Sequence, residues 1–486
     1  MSLLDNSAWQ SKIYSGGWMD GSGEPYPVVS PSTGEHLGMM GRATEADVHK
    51  AAATASDAQR DWAAAPYNER AAVLRRAGDL WNANAEEIIG WLMRETGAIG
   101  PFGGFQIMTS AEECYEAAAL ASAPYGEVLR SSAPRLSLAR RLPVGVVGVI
   151  APFNVPTILS IRAVAPALAL GNAVLLKPDP RTAVAGGAVL AEIFAQAGLP
   201  DGLLHVLPGG ADVGEALVTE PLVRVIAFTG STRAGRSVAT LAAQHLKRVH
   251  LELGGNSALL VLDDVDVDAA SSVGAWGSFA HQGQVCMAAS RHLVQSGVAD
   301  DYIAALSARA DHLPVGDPTT GTVALGPVID VGQRDKIHSL VTQSVDAGAR
   351  LAAGGTYEDL YYRPTVLADV PTTAPAYVEE VFGPVAPVVR FDSIDEVVRL
   401  ASDTPYGLSL GILTRDVSRA LEIAERIPSG LVHINDQTIN DEATIPFGGV
   451  KDSGTGARLG GPQANLDAFT DTQWVTVRGT LPPYPM

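Results

Sequence analysis

Between residues 43 and 120 apolar positions recur at helical spacing in long Ala-rich runs such as NERAAVLRRAGDLWNANAEEIIGWLMRETG (68–97). The pattern predicts helices, with Gly97 as the C-cap of that run. From about residue 141 the texture changes, and short Val/Ile/Leu runs alternate with Ala-rich stretches. The runs are VGVVGVIAPF, AVLLKP, LLHVLP, VRVIAFTG and RVHLEL, with helical segments at 157–170, 183–197, 212–219 and 232–244 between them. Such alternation predicts βαβ units: a mainly parallel sheet covered on both faces, with ligands at the carboxyl ends of its strands. A second α/β region follows. SALLVLDDVDVDAASSVGAWGSFAHQG reads as a strand, an acidic helix start at Asp264–Asp268 that suits the helix dipole, and a helix running up to Gly283. Strand and helix signals continue to about 434. The tail QWVTV (473–477) alternates like a strand but stands apart from both regions, so it needs a partner sheet, with another subunit as one source.

Composition narrows the class. A chain of 486 residues, 47% hydrophobic and 18% charged, predicts roughly two to three ordinary globular domains. The net charge of −19 repels nucleic acid and anionic membranes, so neither is an expected partner. Two cysteines, Cys114 and Cys286, allow at most one disulfide and give no thiolate metal site. No basic n-region with an apolar core opens the chain. The one window that mimics a membrane span, Pro143 to Ile161, is interrupted by prolines and Asn154 and reads as a buried strand, a turn and a helix start. The expectation is a soluble, cytoplasmic protein without a metal.

Unusual residues stand at the strand ends. Asn154, between a strand and a helix opened by Pro156, reads either as a turn former or as an amide donor to an oxyanion. Lys177 ends a strand so apolar that it belongs at the tip, facing solvent or a ribose or phosphate oxygen. VIAFTGSTRAGRS (225–237) is a strand, a Gly-containing turn and a helix start, a geometry that suits phosphate. It nearly spells the nucleotide loop G-x-x-x-x-G-K-S/T, but Arg236 takes the lysine position, which leaves a P-loop hydrolase as a distant alternative. Glu252 ends another apolar strand before Gly254-Gly255, where a carboxylate is either a structural acceptor or a base of raised pKa. Cys286 lies in GQVCMAASR (283–291), a packed small hydrophobe or a nucleophile.

Together and in order, PFNVP, LLKP, FTGSTRAG, ELGGNS, GQVCMAASR, EEVFGPV (379–385) and PFGGVKDSGTG (446–456) resemble the aldehyde dehydrogenase superfamily over roughly residues 20 to 477. The resemblance implies an α/β fold with a Rossmann-like cofactor domain (1–122 and 147–252) and an α/β catalytic domain (253–440). A small β oligomerisation element comes from 123–146 and 441–486, whose tail strand joins a neighbour's sheet in a homodimer or homotetramer. It implies Cys286 as nucleophile, Asn154 with the Cys286 N–H as oxyanion donors, and Glu252 as the base that activates water. NAD, and NADP beside it, would be held by Lys177, Phe153, Thr229, Gly230, Ser231, Gly254, Glu380 and Phe382.

Three segments, 152–180, 433–450 and 469–477, resemble the benzaldehyde, vanillin and salicylaldehyde branch, benzaldehyde dehydrogenases most. The substrate would then be an aromatic aldehyde in a pocket of Val155, Leu159, Arg162, Val285, Met287, Ile439 and Phe447. Arg162 reads either as a contact for polar ring substituents or as a structural arginine paired with an acid. An aliphatic semialdehyde or CoA-acylating enzyme is the alternative. One departure concerns the cofactor: many NAD-preferring relatives carry a glutamate where KPDP has Pro180, which opens the ribose 2′ position to NADP unless Asp179 fills it.

Overall fold

The computed structural model describes residues 2–4 and 6–484. Helices Glu45–Ala64, Tyr67–Ala83, Ala85–Thr96 and Gly100–Leu120 fill the stretch read as helical. Gly97 ends the third in the left-handed conformation (φ 69°) and donates its N–H to the carbonyl of Met93, the backbone geometry that favours glycine at a C-cap.

Five parallel strands form the first sheet in the spatial order Arg248–Glu252, Val223–Thr229, Val146–Ile150, Ala173–Lys177, Leu204–Val206. The chain enters at Val146–Ile150, winds outward through the next two strands, then jumps back to the other side. That reversal opens a crevice beyond the carboxyl ends of Val146–Ile150 and Val223–Thr229. An N-terminal hairpin, Lys12–Ser15 and Trp18–Asp20, extends the far edge antiparallel, which the βαβ alternation does not predict.

The second sheet runs Arg350–Ala353, Thr365–Ala368, Val385–Phe391, Ala289–Gln295, Ser257–Val261, Ser409–Leu413, Leu431–Ile434, parallel except for its first pair. Apolar clusters cover both its faces. Thr470–Val477 forms the strand expected of the tail, but its partner within the chain is its own Leu136–Pro143, which also pairs with Gly126–Val128. Residues 441–469, read with that small element, return to the two larger units: Leu459, Ala468 and Phe469 join the first sheet's core, and Phe447 joins a cluster around Cys286.

Candidate active site

The helix Val267–Phe279 stops short of Gly283. Residues Ala280–Gly283 form a tight turn in which His281 (φ 50°), Gln282 (φ 57°) and Gly283 (φ 65°) are all left-handed. Such a conformation costs of the order of 1–3 kcal/mol per non-glycine residue and persists only when neighbours hold it. Here they do. Gln282 Nε2 donates to the carbonyls of Gly97 (3.0 Å) and Pro327 (2.8 Å). The His281 ring stacks on Phe102 with centroids 4.5 Å apart. Burial pushes this imidazole down to about 4, so it is neutral, and its single N–H must sit on Nε2 to meet the carbonyl of Asn154 at 2.7 Å.

The turn thereby ties the loop carrying Asn154 to the one carrying Cys286. The Asn154 amide donates to the carbonyl of Gln284 at 2.8 Å, two residues before Cys286, which leaves its second N–H available. Around the half-buried Cys286 lie Val155, Ile158, Leu159, Val285, Met287, Ile439 and Phe447, with Phe102, Phe105, Leu408 and Ile445 beside them. All the apolar residues expected in the pocket are in this cluster. Phe102 and Phe105 were not anticipated: their helix Gly100–Leu120 is buried on several sides, so no single apolar face marked them in the sequence. Burial raises the Cys286 thiol pKa, and the carboxylates of Glu380, Glu252 and Asp441 push it the same way, so the resting group is a thiol.

Glu252 ends its strand fully enclosed, and burial lifts its carboxyl well above the usual range. Arg458, Arg162 and the Gly449 amide oppose that lift, whereas Asp441 adds to it. Beyond Glu252 the chain turns through Gly254 and Gly255. A Cβ at Gly255 would strike the backbone carbonyl of Cys286, so only glycine lets those two segments meet; one at Gly254 would push against the Glu380 carboxylate. The Gly255 N–H donates to Glu380 Oε1 at 2.9 Å.

Arg162 commits two of its donors to acids. It is 3% exposed, with Nε donating to Glu113 and Nη2 to Asp441, both at 2.8 Å. Its guanidinium carbon stands 5.1 Å from the centroid of the Phe447 ring, so the arginine backs the pocket wall. Of the two sequence readings, pairing with acids is the one observed.

The remaining residues gather at the crevice. Lys177 is buried at its strand tip, where burial lowers its pKa against the pull of Asp179 and Asp212. Ser231 caps the helix Thr232–Gln244, accepting from the Ala234 N–H at 3.3 Å and keeping its own hydrogen to donate. Gly230 gives its N–H to the Glu252 carbonyl (3.0 Å), which sets Thr229 beside Glu252. Phe153 and Phe382 meet edge to face at 6.0 Å, the latter at φ 54°, and Gln333 holds the Phe382 carbonyl at 2.8 Å. Arg181 covers Phe153 at 4.2 Å and grips Asp179 through both carboxylate oxygens at 2.9 Å. A helix N-terminus, a buried ammonium and two aromatic faces at the reversal of a parallel sheet suit a dinucleotide. Arg236 pairs with Asp452 on the surface and supplies no phosphate-loop lysine.

The family model described as "Aldehyde dehydrogenase family" matches residues 18–475. The chain belongs to the aldehyde dehydrogenase family. It is thus an NAD(P)-dependent aldehyde dehydrogenase, and the P-loop alternative falls away. It is 62% identical to a vanillin dehydrogenase of Amycolatopsis sp. across 100% of both chains, and 50% identical to a benzaldehyde dehydrogenase [NAD(+)] of Pseudomonas putida across 96% of both. A salicylaldehyde dehydrogenase from Pseudomonas putida G7, solved with salicylaldehyde, superposes with a TM-score of 0.94 at 36% identity, covering 98% of this aldehyde dehydrogenase and 99% of that one. Among the described residues, no helix of this aldehyde dehydrogenase is long and apolar enough to cross a membrane.

Proposed function

We propose that this enzyme oxidises aromatic aldehydes to carboxylates, with NAD or NADP as acceptor, in the cytoplasm and as a homodimer or homotetramer. The observation that carries the substrate class is the apolar enclosure of Cys286 by Phe102, Phe105, Leu159, Met287, Ile445 and Phe447, walls that suit a flat ring. Burying a ring there contributes roughly 25 cal/mol per Å² removed from water. The vanillin, benzaldehyde and salicylaldehyde relatives support the same class.

Cys286 gives up its proton to solvent and adds as the thiolate to the aldehyde carbon, forming a thiohemiacetal whose oxyanion is held by the second N–H of Asn154 and the Cys286 N–H. One such donor is worth about 3–4 kcal/mol in the transition state. Lys177, Ser231, Glu380, Phe153 and Phe382 hold the cofactor; Thr229, Gly230 and Gly254 shape its bed. A bound nicotinamide would supply the acceptor for the hydride that leaves as the thiohemiacetal becomes a thioester. Glu252 then takes a proton from water, the resulting hydroxide adds to the thioester carbonyl, and Cys286 departs as thiolate. Oligomer formation is supported by the open small sheet, whose Val128 and Trp474 are 76% and 62% exposed.

A panel of aldehydes tests the reading. Benzaldehyde and vanillin should exceed acetaldehyde and succinic semialdehyde by at least roughly tenfold in kcat/KM, about 1.4 kcal/mol. Equal or reversed ranking overturns it.

A further inference from the structure

Beside Glu252 lies a cavity of about 10 Å³, room for about one water, walled by Val149, Leu159, Ala163, Ala227, Phe447 and Leu459. Its polar lining consists of Arg162, Thr229 and Glu252. Two of these bring an unmet hydrogen-bonding atom: Arg162 Nη1 and Glu252 Oε2 are both buried and have no partner among the described residues. They form no direct ion pair, because Arg162 is committed to Glu113 and Asp441. Leaving a buried donor and acceptor unmatched costs about 1–3 kcal/mol each, and a charged group more. A water molecule needs two to four polar partners, and this pocket offers a donor, an acceptor and a hydroxyl.

We propose that a bound water links Arg162 Nη1, the Thr229 hydroxyl and Glu252 Oε2, making Arg162 a positioning residue that acts through this water on Glu252. The inference rests on Glu252 being the deacylation base. The water accepts a hydrogen bond from Nη1, and in turn the water donates one of its hydrogens to Oε2, which steadies the carboxylate when Glu252 is ionised. The other carboxylate oxygen is left for the proton of the attacking water. The charges that meet Glu252 are Arg458 and Arg162, which favour ionisation, and Asp441, which opposes it; Glu380 shares the field at Cys286. Glu113 and Asp441 flank Arg162 from separate elements and hold its guanidinium in place. The arginine therefore works without touching the aldehyde.

The test is stopped-flow release of NADH by the full-length enzyme with benzaldehyde, combined with a pH profile of the steady state. Thr229→Val removes one ligand of the water while conserving shape. Arg162→Met combined with Glu113→Gln and Asp441→Asn removes the cation without stranding its acids. Both should slow the steady state about tenfold more than they slow the NADH burst, with the acid limb of the steady-state pH profile moved upward; Thr229→Ser should restore the wild-type profile. A crystal structure at high resolution should show the water between the three groups. An unmoved acid limb in both variants, or an absence of water density there, overturns the proposal. Should Glu252→Gln retain fast turnover, the base assignment itself fails, which is a separate outcome.

Discussion

The Nε2–H of His281 reaches the backbone carbonyl of Asn154 at 2.7 Å, so the turn before Cys286 and the loop of the proposed oxyanion donor move as one piece. Truncation by His281→Ala severs that tie and leaves a buried carbonyl unmatched, at about 1–3 kcal/mol. The expected outcome is a fall of about tenfold or more in kcat/KM for benzaldehyde, since misplacing one donor weakens transition-state binding. His281→Asn keeps an N–H donor and a side chain that tolerates positive φ, and should lose less. Steady-state kinetics of the two variants decide the point; wild-type kcat/KM in His281→Ala sinks it.

Cys286→Ala should abolish oxidation while leaving cofactor binding close to that of the wild type, because no other group at the site can form the thioester. Cys114 is buried in the helix Gly100–Leu120 and takes no part, so Cys114→Ala should remain active with some loss of thermal stability. Activity assays beside cofactor titration by fluorescence separate the two.

Glu252→Gln should still release about one equivalent of NADH per site before a slow steady state, as expected when hydrolysis limits turnover. The sign of the pH effect follows from the raised carboxyl pKa. The base is active only when ionised, so the wild-type steady state should fall as pH drops through an apparent pKa well above the 4.5 of an ordinary glutamate. In Glu252→Gln that limb should vanish. A pH series of burst and steady-state rates measures both.

The cofactor prediction turns on Asp179, whose carboxylate Arg181 grips while also reaching Asp330 at 2.7 Å. Against the burial that would raise its pKa, Arg181 holds Asp179 below the usual carboxylate range, so it stays charged and clamped. With Pro180 in the guarding position, Asp179 has to break that pairing to repel a 2′-phosphate. NADP should therefore serve beside NAD, with NAD preferred by less than about 100-fold, some 2.7 kcal/mol. The ratio of kcat/KM for the two at saturating benzaldehyde measures it, and freeing the carboxylate by Arg181→Ala should raise the discrimination against NADP.

The two parallel sheets were legible because apolar runs such as AVLLK are long enough to be buried on both faces, and Gly97 was legible because a C-cap has a residue signature. The proposed reactive groups stand in motifs, each of which is local. What escaped was long-range. Arg162 finds its acids 49 residues before it and 279 after it, distances over which no periodicity carries information. The turn at Ala280–Gly283 escaped for another reason: His281 and Gln282 carry no turn preference and are bent by contacts with Phe102, Gly97 and Pro327. Helical spacing therefore ran on to Gly283, four residues beyond the observed end at Phe279.

The pairing of Thr470–Val477 with Leu136–Pro143 also sets a timetable for biogenesis. The middle strand of the small sheet leaves the ribosome with one ladder edge unmatched, and its mate, which starts at Thr470, is made 327 residues after Pro143 (470 − 143). At about 5–20 residues per second the wait is on the order of tens of seconds. During it Leu136 and Val128 stand open to stray strand pairing, so the nascent chain depends on holding factors or on the brief hairpin with Gly126–Val128. A premature stop just ahead of Thr470 would spare every residue of the proposed reaction site and still release a chain with an uncapped edge. Its defect would be aggregation, with intact chemistry in whatever fraction stays dissolved.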